Sequence, residues 1–172
     1  MKNIEFKVSL GDKIVSPGKL KNLGAVYEGR LTQRDIYFNC KKGRIKLRFL
    51  NGKKAELIFY KRADNKKSRV SNYQILEMGL AYARPILSIL NQSLGKRATV
   101  EKSRELWVYK HTRIHLDRVK KLGNYLELET AIGGISWKNG MAEHLKVKSG
   151  LGLNIFKSVS ESYEDLIKFL NN

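Results

Sequence analysis

The chain has 172 residues, 42% of them hydrophobic and 29% charged, the make-up of an ordinary globular protein, and it is read as one domain over residues 1–172. No apolar run approaches the roughly 20 residues of a bilayer-spanning helix, the charged N-terminus argues against an export signal, and the single cysteine, Cys40, excludes an internal disulfide and fits a reducing cytoplasm. Lys and Arg outnumber Asp and Glu by 34 to 16, a formal charge of +18, so the expected partner is acidic, nucleic acid or phosphate, rather than a membrane.

In chain order, residues 3–10 alternate as a strand. Ser16-Pro17-Gly18 then opens a short helix through Leu20 and Leu23. Residues 27–39 look extended, and Lys42-Gly43 turns the chain into a strand at 44–50. Asn51 and Gly52 both tolerate the positive φ of a two-residue hairpin turn, so 44–50 should pair antiparallel with 54–62. A charged loop at 63–67 leads to an extended stretch at 68–75. Pro85, Ile86, Leu87, Ile89, Leu90 and Leu94 have helical spacing, which predicts a helix with Pro85 in its first turn and Gly95 at its stop. Strands resume at 99–109, 111–120 and 124–131. A helix is predicted within 135–150 and another over 162–170, where Ser162 and Asp165 resemble a capping pair. About eight strands with a few helices between them is an α+β or barrel-like pattern, not an alternating βαβ one.

Four stretches carry charge on every second residue: Asn3-Ile4-Glu5-Phe6-Lys7, Arg44-Ile45-Lys46-Leu47-Arg48, Arg113-Ile114-His115-Leu116-Asp117 and Glu127-Leu128-Glu129. Each therefore has one ionic and one apolar face. If the ionic faces line the inside of a curved sheet, the interior is wet and the helices must cover the apolar outside. Glu5, Glu127 and Glu129, brought together, would repel by about 4 kcal/mol for a pair at 4 Å and an effective dielectric near 20. A hard divalent cation such as Mg²⁺ or Mn²⁺ would relieve that repulsion. Lys7, Lys46, Arg48, Lys61, Arg62, Arg69, Lys102, Arg104 and Arg113 form the matching cation set for a triphosphate. The same alternation also describes the solvated face of an ordinary antiparallel sheet.

Other chemistry is excluded. His111, His115 and His144 lack zinc-ligand spacing, and His115 reads as a structural histidine on the Arg113–Asp117 face. There is no Walker-type or dinucleotide glycine loop and no aromatic-basic RNA-recognition motif, so nucleic acid is possible but not favoured.

The residues resemble the CYTH domain family, also called triphosphate tunnel metalloenzymes, which includes class IV adenylyl cyclases, thiamine triphosphatases and inorganic triphosphatases. The resemblance runs through Asn3-Ile4-Glu5-Phe6-Lys7 (the family's ExExK), Gln33-Arg34-Asp35-Ile36-Tyr37-Phe38, Lys46-Leu47-Arg48, Lys102-Ser103-Arg104, the run from Leu116 to Glu129, and Ser162-Tyr163-Glu164-Asp165-Leu166. It implies an eight-stranded antiparallel β-barrel, a triphosphate tunnel, with helices packed outside. It also implies Mg²⁺ or Mn²⁺ on Glu5, Glu127 and Glu129, and triphosphate on Lys7, Arg48, Lys102, Arg104 and Arg113. The family's basic residue near the end of the fourth strand falls on Lys61 or Arg62, one register step apart. Asn3 replaces the first Glu of ExExK, keeping an oxygen ligand but losing a charge, as in a cyclase-like branch.

The expected function is a divalent-metal-dependent adenylyl cyclase, converting ATP to cyclic AMP and pyrophosphate, with Asp117 and Glu129 as catalytic residues. The alternatives are hydrolysis of tripolyphosphate, thiamine triphosphate or a nucleotide, and non-catalytic binding of polyphosphate or RNA. Oligomeric state is left open.

Overall fold

The computed structural model describes residues 3–62 and 71–171. Its strands are β1 (Asn3–Gly11), β2 (Val26–Phe38), β3 (Arg44–Leu50), β4 (Lys54–Arg62), β5 (Ser71–Gly79), β6 (Lys96–Tyr109), β7 (Thr112–Val119) and β8 (Gly123–Ala131), and its helices are α1 (Pro17–Leu23), α2 (Leu80–Leu94), α3 (Trp137–Gly150) and α4 (Tyr163–Asn171). All eight strands belong to one antiparallel sheet in the order β1-β8-β7-β6-β2-β3-β4-β5.

The long strands β2 and β6 pair along nearly their whole length, whereas β3 pairs only with residues 33–38 of β2 and β7 only with residues 102–109 of β6. The two flanking half-sheets are therefore offset along this central pair, and the native twist curls them toward one another into a barrel-like tunnel. Among the described residues β1 and β5 do not pair, so the sheet is open there and the expectation of a closed sheet is corrected. The free edge of β1 is taken by the C-terminal segment instead: Val8 bridges Ser158, and the Val159 amide donates to the Lys7 carbonyl at 2.8 Å. An edge satisfied in this way has no need of β5.

Local sequence explains most boundaries. Ser16 caps α1, its hydroxyl accepting from the Lys19 amide, with Pro17 in the first turn. Asn51 and Gly52 both have positive φ, 51° and 63°, as the hairpin requires, but Leu50 pairs with Lys54, so Lys53 is an additional loop residue. The predicted start of α2 is corrected. The helix begins five residues before Pro85, which lies inside it. Ala83, fully buried against the sheet, anchors that extra turn by packing. The strand expected at 68–75 is found at Ser71–Gly79, and residues 68–70 lie outside the described residues.

The apolar strand faces point outward and are covered by three helices. Phe6, Val8, Ile114, Leu126 and Leu128 pack with Leu20 of α1, with Val147 of α3 and with Leu151 just after it. Ile36, Phe38, Leu47 and Ala55 pack with Ala83, Ile86 and Leu87 of α2. Each fully buried large aliphatic side chain contributes about 1.5–3 kcal/mol. Helix α4 is placed differently. Tyr163 and Ile167 pack with Tyr37, Val100, Val119 and Tyr125, residues of the opposite, concave face. Its start carries the predicted capping pair: the Ser162 amide donates to Asp165 Oδ2 at 3.0 Å, and the Asp165 amide donates to Ser162 Oγ at 3.2 Å.

Candidate active site

Because side chains alternate across a strand, register alone collects the ionic residues on the concave face. Glu5 pairs with Glu129 and Lys7 with Glu127 across β1–β8; Arg113 pairs with Glu129 and His115 with Glu127 across β7–β8; Arg104 pairs with Asp117 across β6–β7; Arg48 pairs with Asp35 across β2–β3. Of the residues expected from sequence, this face brings together Glu5, Lys7, Lys46, Arg48, Lys102, Arg104, Arg113, Asp117, Glu127 and Glu129. Arg69 and the side chains of Lys61 and Arg62 lie outside the described residues.

Two clusters of the same design occupy the centre. Asp35 accepts from Lys46 at 2.6 Å and from Arg48 Nε and Nη2 at 2.7 and 2.8 Å. Asp117 accepts from Lys102 at 2.9 Å, from Arg104 Nε and Nη2 at 2.6 Å each, and from the Tyr163 hydroxyl at 2.9 Å. In both, a Lys-x-Arg strand lies beside an aspartate on its neighbour. Burial opposes ionisation of each aspartate, but Lys46 and Arg48 in one case, and Arg104 and Lys102 in the other, outweigh it and hold both well below the usual carboxylate range. The lysines respond oppositely. Burial, reinforced by Arg48 and Lys102, overcomes the attraction of Asp35 and pulls Lys46 down to about 8, while burial and Arg104 also lower Lys102.

At one side of these clusters stand the remaining carboxylates. Glu127 is half-buried and pairs with Lys7 at 3.1 Å and with Arg104; desolvation works against its charge, and Lys7 and Arg104 keep it ionised. Glu129 accepts from Arg113 at 2.8 Å. His115, 5% exposed, has its Nδ1 3.8 Å from both Glu127 and Glu129 and without a hydrogen-bond partner. Ligand atoms of His115, Glu127 and Glu129 all lie within 4.8 Å of one another. Asn3 Oδ1, on the same face, is likewise buried without a partner. Orphaned acceptors beside two carboxylates fit a divalent cation.

Helix α4 completes the face. Tyr163 lies beneath Lys7 and Lys102, whose ammonium groups are 4.4 and 4.8 Å from its ring centroid. Arg44 donates to Asp165 at 2.9 Å, and Arg97 pairs with Glu164 at 2.7 Å. A cavity of about 350 Å³ remains on the concave face beside Arg48, lined by Gln33, Leu50, Lys54 and Glu56.

The CYTH domain family matches residues 1–163. The chain belongs to the CYTH family. Solved structures share the fold along nearly its whole length. The PH1012 protein of Pyrococcus horikoshii is 21% identical, with a TM-score of 0.79 over 95% of this chain and 98% of that one. The PH1819 protein of the same organism is 22% identical, with a TM-score of 0.72 over 98% and 99%. A candidate adenylate cyclase from Vibrio parahaemolyticus is 12% identical, with a TM-score of 0.68 over 98% of each chain. At these identities the likeness is one of fold. No curated protein matches the chain. Among the described residues, no helix of this CYTH protein is long and apolar enough to cross a membrane.

Sequence reasoning passed over three residues of this face as site residues. Asp35 enters only as part of the Gln33–Phe38 stretch, although its position two residues from Gln33 and Tyr37 places it on the concave side by alternation. Tyr163 enters only through the Ser162–Leu166 stretch of the resemblance, since the tertiary fold alone brings α4 into the tunnel. His115 reads as structural because its partners are twelve and fourteen residues away rather than at helical spacing.

Proposed function

We propose that this CYTH protein is a divalent-metal-dependent enzyme acting on a nucleoside triphosphate, with adenylyl cyclase chemistry, ATP to cyclic AMP and pyrophosphate, as the leading reading. The observation that carries it is the repeated aspartate-held Lys-x-Arg pair, Lys46–Arg48 and Lys102–Arg104, beside the His115–Glu127–Glu129 group on the same concave face. Such a face meets both halves of a metal–triphosphate: fixed cations for the phosphates and anionic oxygens for the ion.

In this reading Arg48, Arg104, Lys46, Lys102, Lys7 and Arg113 bind and align the phosphates, together with Lys61, Arg62 or Arg69. Glu129, Glu127 and Glu5 hold Mg²⁺ or Mn²⁺, joined by His115. The ion supplies charge neutralisation at the reacting oxygens when bound. Asp117, expected from sequence to be catalytic by assisting proton removal from the ribose hydroxyl, is engaged by Lys102, Arg104 and Tyr163, an arrangement that instead supports its orienting the phosphate-binding cations. Helix α4 blocks part of the concave face and excludes water from the lysines it covers.

Incubation of the protein with ATP and Mn²⁺, then with tripolyphosphate, and identification of products by mass tests the reading. Cyclic AMP with pyrophosphate is the expected result. Orthophosphate would instead identify a triphosphatase, and tight binding without turnover a polyphosphate or RNA binder. Glu129→Gln abolishes turnover while leaving the fold intact; an unchanged rate removes Glu129 from the reaction.

A further inference from the structure

The concave face does not use the chain's surplus of positive charge. Asp35, Asp117, Glu127, Glu129, Glu164 and Asp165 each meet a Lys or Arg there. With carboxylates and cations so matched inside, most of the excess positive charge among the described residues falls on the outside of the sheet. A face built to capture an anion does not require that excess.

The outside also carries the larger cavity, a groove of about 880 Å³ lined by Thr32, Arg34, Phe49, Ser103, Arg118 and Lys120. These positions alternate with Gln33, Asp35, Arg48, Lys102, Asp117 and Val119, so their side chains lie on the sheet face opposite the ionic tunnel, while Gln33, Lys102 and Val119 of the concave side also border the groove. The helices leave it open: α2 packs on β2, β4 and β5, and α3 on β1, β7 and β8.

Register arranges the groove in two rows. Thr32, Ser103 and Arg118 are successive cross-strand partners on β2, β6 and β7. Arg34 pairs with Glu101, and the Lys120 amide extends the ladder by donating to the Glu101 carbonyl. The rows are two residues apart, about 6.6 Å along the strands. Glu101 is the one carboxylate lining the groove among the described residues, and it is shared by Lys120 at 2.7 Å and Arg34 at 3.8 Å. Arg118 and, at the rim, Lys121 are exposed and add unmatched positive charge. Phe49 supplies a half-buried ring, and Thr32 and Ser103 supply hydroxyl donors.

We propose that this outer groove binds single-stranded nucleic acid, with Arg34, Arg118, Lys120 and Lys121 on successive phosphates and a base against Phe49. Cations in two rows beside an aromatic ring suit a flexible phosphodiester strand, whose charge recurs along its length and whose bases have apolar faces. A membrane surface would call for protruding apolar side chains rather than a recess. The proposal stands apart from the reading of the concave face, because the cations assigned to the strand, Arg34, Arg118, Lys120 and Lys121, are not those assigned to the triphosphate.

The test is fluorescence anisotropy of a labelled 16-nucleotide oligouridylate with the full chain across a KCl series. The wild-type protein binds, with log affinity falling linearly with log salt. Arg118→Glu combined with Lys121→Glu weakens binding at least tenfold and makes the salt slope shallower by about 1.4, at about 0.7 per lost phosphate contact. Lys19→Glu with Lys138→Glu, the same change in net charge on α1 and α3, weakens it less than threefold. Saturating tripolyphosphate leaves the oligonucleotide bound. The proposal is overturned if the α1–α3 variant loses as much as the groove variant, since the binding is then diffuse. It is equally overturned if tripolyphosphate displaces the strand, or if the protein binds phosphatidylserine vesicles and not the oligonucleotide. Melting curves for both variants confirm that each is folded.

Discussion

Arg104 stands directly across the β6–β7 pair from Asp117 and donates to both of its carboxylate oxygens at 2.6 Å. Arg48 stands in the same relation to Asp35 across β2–β3. The phosphate-binding cations are thus held in place by carboxylates before any anion arrives, and Arg104 also spans to Glu127 of the candidate metal group. An incoming triphosphate competes with carboxylates for these cations, and an incoming metal ion competes with cations for the carboxylates. Each exchange leaves behind what the other ligand needs, so the two should bind cooperatively.

Removing Asp117 leaves the buried Lys102 without its carboxylate and Arg104 with Glu127 alone. Asp117→Ala should destabilise the protein by about 3–5 kcal/mol, the usual consequence of breaking a buried ion pair on one side. Tripolyphosphate should return part of that loss by supplying the missing negative charge. Urea denaturation with and without tripolyphosphate measures both effects, and the added stability should be larger for the variant than for the wild type. Equal gains would show that the anion does not reach Lys102 and Arg104.

The lowered Lys46 gives triphosphate binding a pH dependence of definite sign. In the free protein this lysine, pulled down to about 8 by burial despite Asp35, begins to lose its proton in mildly alkaline solution. A bound polyanion favours the ammonium form and raises the value, so binding takes up protons near pH 8 and weakens as pH rises through that range. Calorimetry with tripolyphosphate, without metal, in buffers of different ionisation enthalpy checks the uptake. Lys46→Arg, which keeps its charge, should flatten the affinity profile between pH 7 and 9.5.

His115 should matter to the identity of the metal as well as to its affinity. An imidazole among carboxylates favours a borderline ion over Mg²⁺, which prefers oxygen alone. His115→Ala is therefore expected to weaken Mn²⁺ binding about tenfold or more and Mg²⁺ binding much less, whereas Glu129→Gln weakens both. Electron paramagnetic resonance of free Mn²⁺, with Mg²⁺ as competitor, reads the affinities without turnover. Equal losses of the two ions in His115→Ala would remove the histidine from the coordination sphere.

How far the sequence revealed this site follows from what period-two alternation can and cannot carry. Strands β3 and β4 were placed to the residue because Asn51-Gly52 fixes the turn between alternating runs, and Lys46, Arg48, Lys102 and Arg104 fell on one face for the same reason. The family followed from motifs spread along nearly the whole chain. What stayed hidden depends on contacts distant in sequence. Tyr163 reaches Asp117 across 46 positions, the segment at Ser158 occupies the edge of β1, and Ala83 extends α2 ahead of Pro85 through packing on the sheet. None of these leaves a local signature.

His144 gives the fold a sensitivity to acid at a position outside the tunnel. It lies on the buried face of α3, 5% exposed, with Nδ1 2.9 Å from the Thr130 hydroxyl and its ring edge-on to Phe6. Burial, with Lys148 adding to it, pushes its pKa down to about 4 from an ordinary 6.5. The folded state therefore resists a proton that the unfolded chain accepts, so stability is unaffected at pH 7 and is lost as pH falls from 6.5 toward 4. At about 1.4 kcal/mol per pKa unit, the loss reaches about 3 kcal/mol. Asp35 and Asp117, held low, contribute stability that disappears only at more acid pH, below the ordinary carboxylate range. His115 is also lowered, by burial and Arg104, and its contribution is common to wild type and a His144 variant. The measurement is thus a difference: urea unfolding of wild type and His144→Gln at pH 7, 6, 5 and 4.5. The variant should be the less stable protein at pH 7 and should close the gap as the pH drops. A constant gap would mean that His144 binds its proton equally well in the folded and unfolded chains.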